Sequence, residues 1–157
     1  MATVAAESFT DFARSALVKV RAGLIAGFGP ELGSEATAEA MAYAWEHWDR
    51  LRDMQNPSGY LYRVGRTHAV RTLRNQRRRP SATFARQEEP QWVEPMLQQV
   101  LHELPRRQRA AVSLVHGYGY SLQDVAELWG VSRSTVQAHV DRALTKLRSS
   151  LGVDSAV

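Results

Sequence analysis

Two sets of side chains in this sequence have the types and spacing to grip a nucleic acid. Between Tyr60 and Gln87 there are eight arginines and no acid. A block of that kind is either a solvated, self-repelling run or an electrostatic footprint for phosphates. Further on, Arg133, Ser134, Gln137, Ala138 and Asp141 recur at the spacing of one helix face. Arg and Gln near the start of such a helix match the guanine and adenine edges of the major groove, and Ser132, His139 and Arg142 stand beside them within reach of phosphates.

Composition removes most other chemistry. The chain has 157 residues, a formal net charge of +4 and no cysteine, so disulfide scaffolds, Cys-ligated zinc, iron–sulfur clusters and thiol catalysis are excluded. The five histidines, at 47, 68, 102, 116 and 139, show no metal-binding spacing, and no Gly-rich phosphate loop or nucleophile motif appears. The expectation is a protein that is not an enzyme and that needs neither metal nor cofactor. No apolar run approaches the roughly 20 residues of a membrane span, and no secretory signal is evident, so the expected location is cytoplasmic. The charge falls in unequal blocks, −3 over residues 1–56, +8 over 57–86, −4 over 87–104 and +3 over 105–157.

The elements that must hold these groups are all helical, with no strand alternation and no internal repeat. Phe9, Phe12, Ala13, Ala16, Leu17, Val20 and Leu24 form an apolar stripe, ended by Gly27 to Gly33. A second helix is expected from Ser34 or Glu35 to about Leu51. Asn56-Pro57 reads as an N-cap followed by proline at the first position of a third helix, which runs to Gln76 with Arg63, Arg66, Arg71 and Arg74 outward. The proline-bearing, aperiodic stretch from Arg77 to Pro95 reads as a linker. Beyond it, Met96 to Leu104 and a helix from Pro105 through Val115 precede Ser121 with Asp124, a capping-box variant. Gly130-Val131-Ser132 makes a tight turn, and Ser132 caps a last helix from Arg133 to about Ser150.

Ser121 to Leu147 therefore has the proportions of a helix-turn-helix. Val125, Ala126 and Leu128 face Val131, Val136, Val140 and Leu144, and Gly130 supplies the left-handed residue at the turn. The fold class is all-α, two small helical domains over 1–79 and 96–157 joined by a linker at 80–95. The four tryptophans, at 45, 48, 92 and 129, are read mainly as core and interdomain packing.

Several motifs together resemble bacterial RNA polymerase sigma factors of the extracytoplasmic-function type. They are Leu104-Pro105-Arg106-Arg107-Gln108-Arg109, Gly119-Tyr120-Ser121, Val125-Ala126-Glu127, Gly130-Val131-Ser132, Ser134-Thr135-Val136 and Arg142 to Arg148. In the first domain the likeness rests on Glu35, Glu39, Ala44-Trp45, Tyr60-Leu61-Tyr62-Arg63-Val64 and the basic run to Arg79. The resemblance implies a factor that directs polymerase core to promoter DNA. It places Ser132, Arg133, Ser134, Gln137, His139 and Arg142 at the minus-thirty-five element. It places Asn56, Tyr60, Arg63, Arg66, Arg74, Arg77, Arg78 and Arg79 at the minus-ten element and its phosphates, with Tyr60 and Tyr62 as possible stacking platforms. Glu35, Glu39 and Trp45 would dock on the polymerase, and an anti-sigma factor is a further implied partner. Thr67 and Arg71 depart from the pattern, standing where relatives commonly carry Asn and Asp.

The competing readings are a stand-alone helix-turn-helix regulator, a sigma-like protein that does not initiate, and a protein-binding adaptor whose basic block is idle. Arg133→Ala or Gln137→Ala is expected to cost about 1–3 kcal/mol at particular bases. Arg77→Ala should instead weaken binding evenly across sequences and flatten its salt dependence, and an unchanged slope in a salt titration would count against a phosphate role.

Overall fold

The computed structural model describes residues 2–78 and 95–152, with side chains over 9–78 and 96–152. Every regular element among them is a helix: α1 Ala2–Phe28, α2 Pro30–Glu46, α3 Trp48–Leu51, α4 Pro57–Arg77, α5 Pro95–Glu103, α6 Arg106–Val112, α7 Leu122–Trp129 and α8 Arg133–Leu151. A π-helical turn over Ser113–Gly117 follows α6 directly. Arg77, where the linker-like stretch is expected to begin, is the last residue of α4, and the linker at 80–95, apart from Pro95, lies outside the described residues, as do Arg79 and Trp92.

The caps expected from the sequence are formed. Asn56 Oδ1 accepts from Gly59 N at 3.0 Å, starting α4 with Pro57 at its first position. Ser121 and Asp124 exchange both capping-box hydrogen bonds, at 3.0 and 3.1 Å, and Ser132 Oγ accepts from Thr135 N at 3.2 Å to start α8. Gly130 closes α7 in the left-handed conformation, φ 67° and ψ 36°.

The turn between α1 and α2 corrects the sequence reading. A single residue, Gly29 at φ 87°, separates the helices, and α2 begins at Pro30 rather than at Ser34. Proline at the first helical position lacks only an N–H that would have had no partner there, so it starts this helix instead of ending the previous one. Gly33 then lies inside α2, and Thr37 Oγ1 donates to its carbonyl at 2.7 Å. A Cβ on Gly33 would stand 2.6 Å from Ile25 Cα, so the missing side chain sets how closely α1 and α2 approach. The second helix also stops early, at Glu46, and His47 leads into the short α3.

One continuous apolar core runs through both halves of the chain. Val20 and Leu24 of α1, Ala36, Ala40 and Ala44 of α2, and Leu61 and Tyr62 of α4 belong to the same cluster as Ala111, Leu114, Val125, Leu128 and Trp129. A smaller cluster of Val100, Leu104, Val112, Ala143 and Leu147 seats α5 on α6 and α8.

Two glycines of α1 and α2 should respond in opposite directions to alanine. Gly33→Ala should destabilise by about 1–3 kcal/mol, the range for overpacking. Gly27→Ala meets nothing within 4 Å and should stabilise by up to about 1 kcal/mol. Urea denaturation of both variants decides between these signs.

Candidate nucleic-acid interface

The helix-turn-helix is built from its inner face outward. Val125, Ala126 and Leu128 of α7 and Val136, Val140 and Ala143 of α8 are all buried, which fixes the crossing of the two helices. Turned the other way, Ser132, Arg133, Ser134, Gln137, Asp141 and Arg142 are exposed. Ser132 Oγ lies 3.0 Å from Ser134 Oγ and 2.8 Å from Thr135 Oγ1, so the hydroxyls at the start of α8 form one small network. Gln137 Nε2 donates to Asp141 Oδ1 at 2.8 Å.

His139 stands apart from that row. Its ring meets Trp129 edge-on, 6.4 Å between centroids, and its Nδ1 is buried without a hydrogen-bond partner. Burial first, then the Arg107 and Arg142 cations, push its pKa down. Packed on Trp129 with its pKa lowered, the ring carries less readily than a free histidine the positive charge that a phosphate contact at this position would use.

In the first half, α4 presents Arg63, Arg66, Arg74, Arg77 and Arg78 as exposed residues along one basic side. Tyr62 is buried in the core, leaving Tyr60 as the more accessible of the two aromatic rings. The Tyr60 hydroxyl lies 3.2 Å from that of Tyr43, and Arg50 Nη2 donates to both, at 3.0 Å to Tyr43 and 3.4 Å to Tyr60. Thr67 turns its hydroxyl back onto the Arg63 carbonyl at 2.9 Å, and Arg71 faces solvent. Glu35 and Glu39 are exposed on α2, but Glu35 Oε1 is joined to His68 Nε2 at 2.9 Å. Trp45 is 62% exposed, with Phe9 edge-on to it at 5.0 Å, so it is a surface residue rather than core.

The two basic surfaces are tied together through groups that composition does not reveal. Asn56, having capped α4 with its oxygen, donates from Nδ2 to the Glu127 carbonyl of α7 at 2.7 Å. Arg63 lays its guanidinium against Gly130, at the turn of the helix-turn-helix. Leu128 fills the space above Gly23, where a Cβ would stand 2.6 Å from Leu128 Cδ2. Lys19 pairs with Asp124 at 3.7 Å, and Arg109 Nη2 donates to the Gly27 carbonyl at 3.4 Å. Arg106 sits over the Phe28 ring at 4.7 Å, while within the second half Arg107 lies over Trp129 at 4.9 Å. Against these attractions, Arg106 comes near Arg77 and Arg66 of α4. Burial chiefly, and then those two cations, lower its pKa. The seam thus joins apolar contact and hydrogen bonds to a concentration of like charge.

Residues 95–147 match the family described as Sigma-70, region 4. The chain is 30% identical over 128 residues to the ECF RNA polymerase sigma factor SigM of Mycobacterium tuberculosis, a stretch covering 78% of this chain and 65% of SigM. It is 41% identical over 56 residues to the ECF RNA polymerase sigma factor EcfG of Rhodopseudomonas palustris, covering 36% of this chain and 31% of EcfG. The matches thus span less than two thirds of either relative. Among solved structures, the fold is similar to the sigma factor RpoE from Bartonella quintana, crystallised with the anti-sigma factor NepR. There the TM-score is 0.66, with 22% identity over 94% of this chain and 99% of that one. It is also similar to CnrH in complex with the cytosolic domain of CnrY, with a TM-score of 0.58 and 20% identity over 98% and 96% of the two chains.

Because the folded state lowers the pKa of His139, the unfolded chain takes up that proton first. Stability should fall as pH drops below the unfolded value of about 6.5. Melting His139→Gln beside the parent at pH 7.5 and 5.5 should show a smaller acid loss in the variant, and equal losses would contradict this origin. Residues 95–147 thus match the sigma-70 region 4 family, on a chain that is similar in sequence to extracytoplasmic-function sigma factors and similar in fold to solved sigma factors.

Proposed function

We propose that the chain is a sigma factor, directing RNA polymerase core to specific promoters and assisting the initiation of transcription. The observation that carries this reading is the exposed row Arg133, Ser134, Gln137 and Arg142 on the second helix of a capped helix-turn-helix, within the stretch that matches sigma-70 region 4. An arginine and a glutamine displayed on that face can address base edges, while Ser132, Ser134 and Arg142 address phosphates. The residues of 1–79 form the polymerase-docking and minus-ten half, those of 96–157 the minus-thirty-five half, and residues 80–95 link them. Glu39, Trp45 and, once released from His68, Glu35 form the docking face on α2. The segment from Asp49 to Gly59, which runs from α3 through the turn into α4, and the basic side of α4 hold the separating strands. Extruding a base costs a few kcal/mol, recovered by stacking and phosphate contact, for which Tyr60 and the α4 arginines are available. The protein catalyses no reaction itself.

In the closed arrangement Asn56 and Arg63 are engaged by α7 and by the turn after it, whereas the outward row of α8 is open to solvent. Full promoter contact therefore requires the seam to part. Core polymerase is the partner that holds the halves apart, and an anti-sigma factor is a partner that would keep them together. The same asymmetry favours one alternative, a regulator that binds DNA through α8 alone without polymerase.

Run-off transcription with purified core on a pool of genomic promoter fragments separates these readings. The sigma reading expects new transcripts that depend on the protein and share two spaced upstream elements. Salt-sensitive DNA binding by the free chain, with no core binding and no new transcript, would contradict it and support the stand-alone regulator.

A further inference from the structure

Asp141 is the only acid on α8, a helix that otherwise carries Arg133, Arg142, Lys146 and Arg148. It is exposed, and among the described residues it forms no ion pair. Its position is unusual for a surface that meets phosphates, since a carboxylate there repels them. One turn before it, on the same stripe as Arg133, Gln137 donates from Nε2 to Asp141 Oδ1 at 2.8 Å. Asp141's own backbone carbonyl accepts from Thr145 Oγ1 at 2.9 Å.

The chemistry of this pair is one-directional. An ionised carboxylate only accepts hydrogen bonds, so the amide of Gln137 must turn its NH2 toward Asp141. That leaves Oε1 and the second N–H of Gln137 free for a ligand, an acceptor beside a donor. Adenine offers the complementary pair in the major groove, the N6 amino donor beside the N7 acceptor. Without the carboxylate, the amide turns over freely and can present its NH2 to guanine acceptors instead.

We infer that Asp141 is a specificity-determining positioning residue, which fixes the amide of Gln137 so that α8 selects adenine at one base pair of the upstream element. This rests on the reading of α8 as the DNA-facing helix. Asp141 acts through Gln137 and lowers general phosphate attraction while sharpening the choice of base.

The test uses the full chain bound to core polymerase and a duplex pool randomised over ten upstream base pairs, with retained molecules sequenced. Gln137→Ala identifies the base pair under Gln137 as the one whose adenine preference collapses. Asp141→Ala and Asp141→Asn should flatten that same preference by about 5-fold or more, the lower end of what a bidentate base contact supplies. Asp141→Glu, which keeps an acceptor-only group, should retain it, and Gln137→Ala with Asp141→Ala should be no flatter than Gln137→Ala alone. A lowered melting temperature with an intact base profile in Asp141→Ala would overturn the inference, leaving only a helix-surface pair. So would flattening at a different base pair, which would mean that Asp141 reads a base directly. If Arg133→Ala and Gln137→Ala themselves leave the whole profile unchanged, the assignment of α8 to DNA fails first. If they change it and Asp141→Ala does not, only the role of Asp141 fails.

Discussion

The insertion of Leu128 into the gap left by Gly23 is the contact on which the arrangement of this molecule turns. It brings the helix-turn-helix onto α1 and α4 and extends a single apolar core through both halves of the chain. Magnitudes show why this contact leads. Full burial of a leucine is worth about 2–3 kcal/mol, a hydrogen bond such as that from Asn56 to Glu127 about 1 kcal/mol. Lys19 and Asp124, each 39% exposed, add at most about 1 kcal/mol. Arginine stays charged throughout, so the crowding of Arg106 with Arg66 and Arg77 opposes closure at every pH and weakens as salt screens it. The balance is an apolar seam under cationic strain, which a polyanion laid on these arginines would relieve.

Under the proposed sigma reading, Asn56 ties the seam to promoter contact. Its oxygen starts α4 and its nitrogen holds α7, so one amide serves both the local helix and the long-range closure. It belongs to the loop that the sigma reading assigns to the minus-ten element. A group cannot hold the Glu127 carbonyl and a flipped base at once, which makes closure and strand capture competing states of the same residue. Gly130 plays the matching part on the other side. Its left-handed backbone strains any side chain at the turn that sets up α8, and one placed there would displace the guanidinium of Arg63.

Local chemistry made much of this architecture legible in the sequence. Asn56, Ser121 with Asp124, Gly130 and Ser132 announce their caps because the residue types that satisfy a helix end are few and their spacing is short. The α1–α2 turn is illegible in the sequence because Gly27, Gly29, Pro30 and Gly33 together look like a loop. Only Gly29 breaks the helix, Pro30 starts the next one, and Gly33 serves interhelical contact. The seam left no signal at all. Asn56 bonds to a backbone carbonyl, which any residue at 127 would offer, and Gly23 matters for a side chain it lacks. Trp45, grouped with the core tryptophans, is instead exposed. His139 follows the opposite course, since its place near the α8 row says nothing of the Trp129 ring that draws it inward.

Because the chain has no cysteine, closure can be controlled by one introduced pair, Gly23→Cys with Leu128→Cys, at the point where the halves meet. The sulfur at 128 takes space that the leucine methyls vacate. The decisive measurement is run-off transcription with core polymerase by this variant, oxidised and then reduced, beside each single-cysteine variant. The oxidised protein, locked closed, should yield no specific transcript and reductant should restore it, with the single variants indifferent to redox state. A locked protein that transcribes as well as its reduced form would contradict the claim that the seam must part for promoter use.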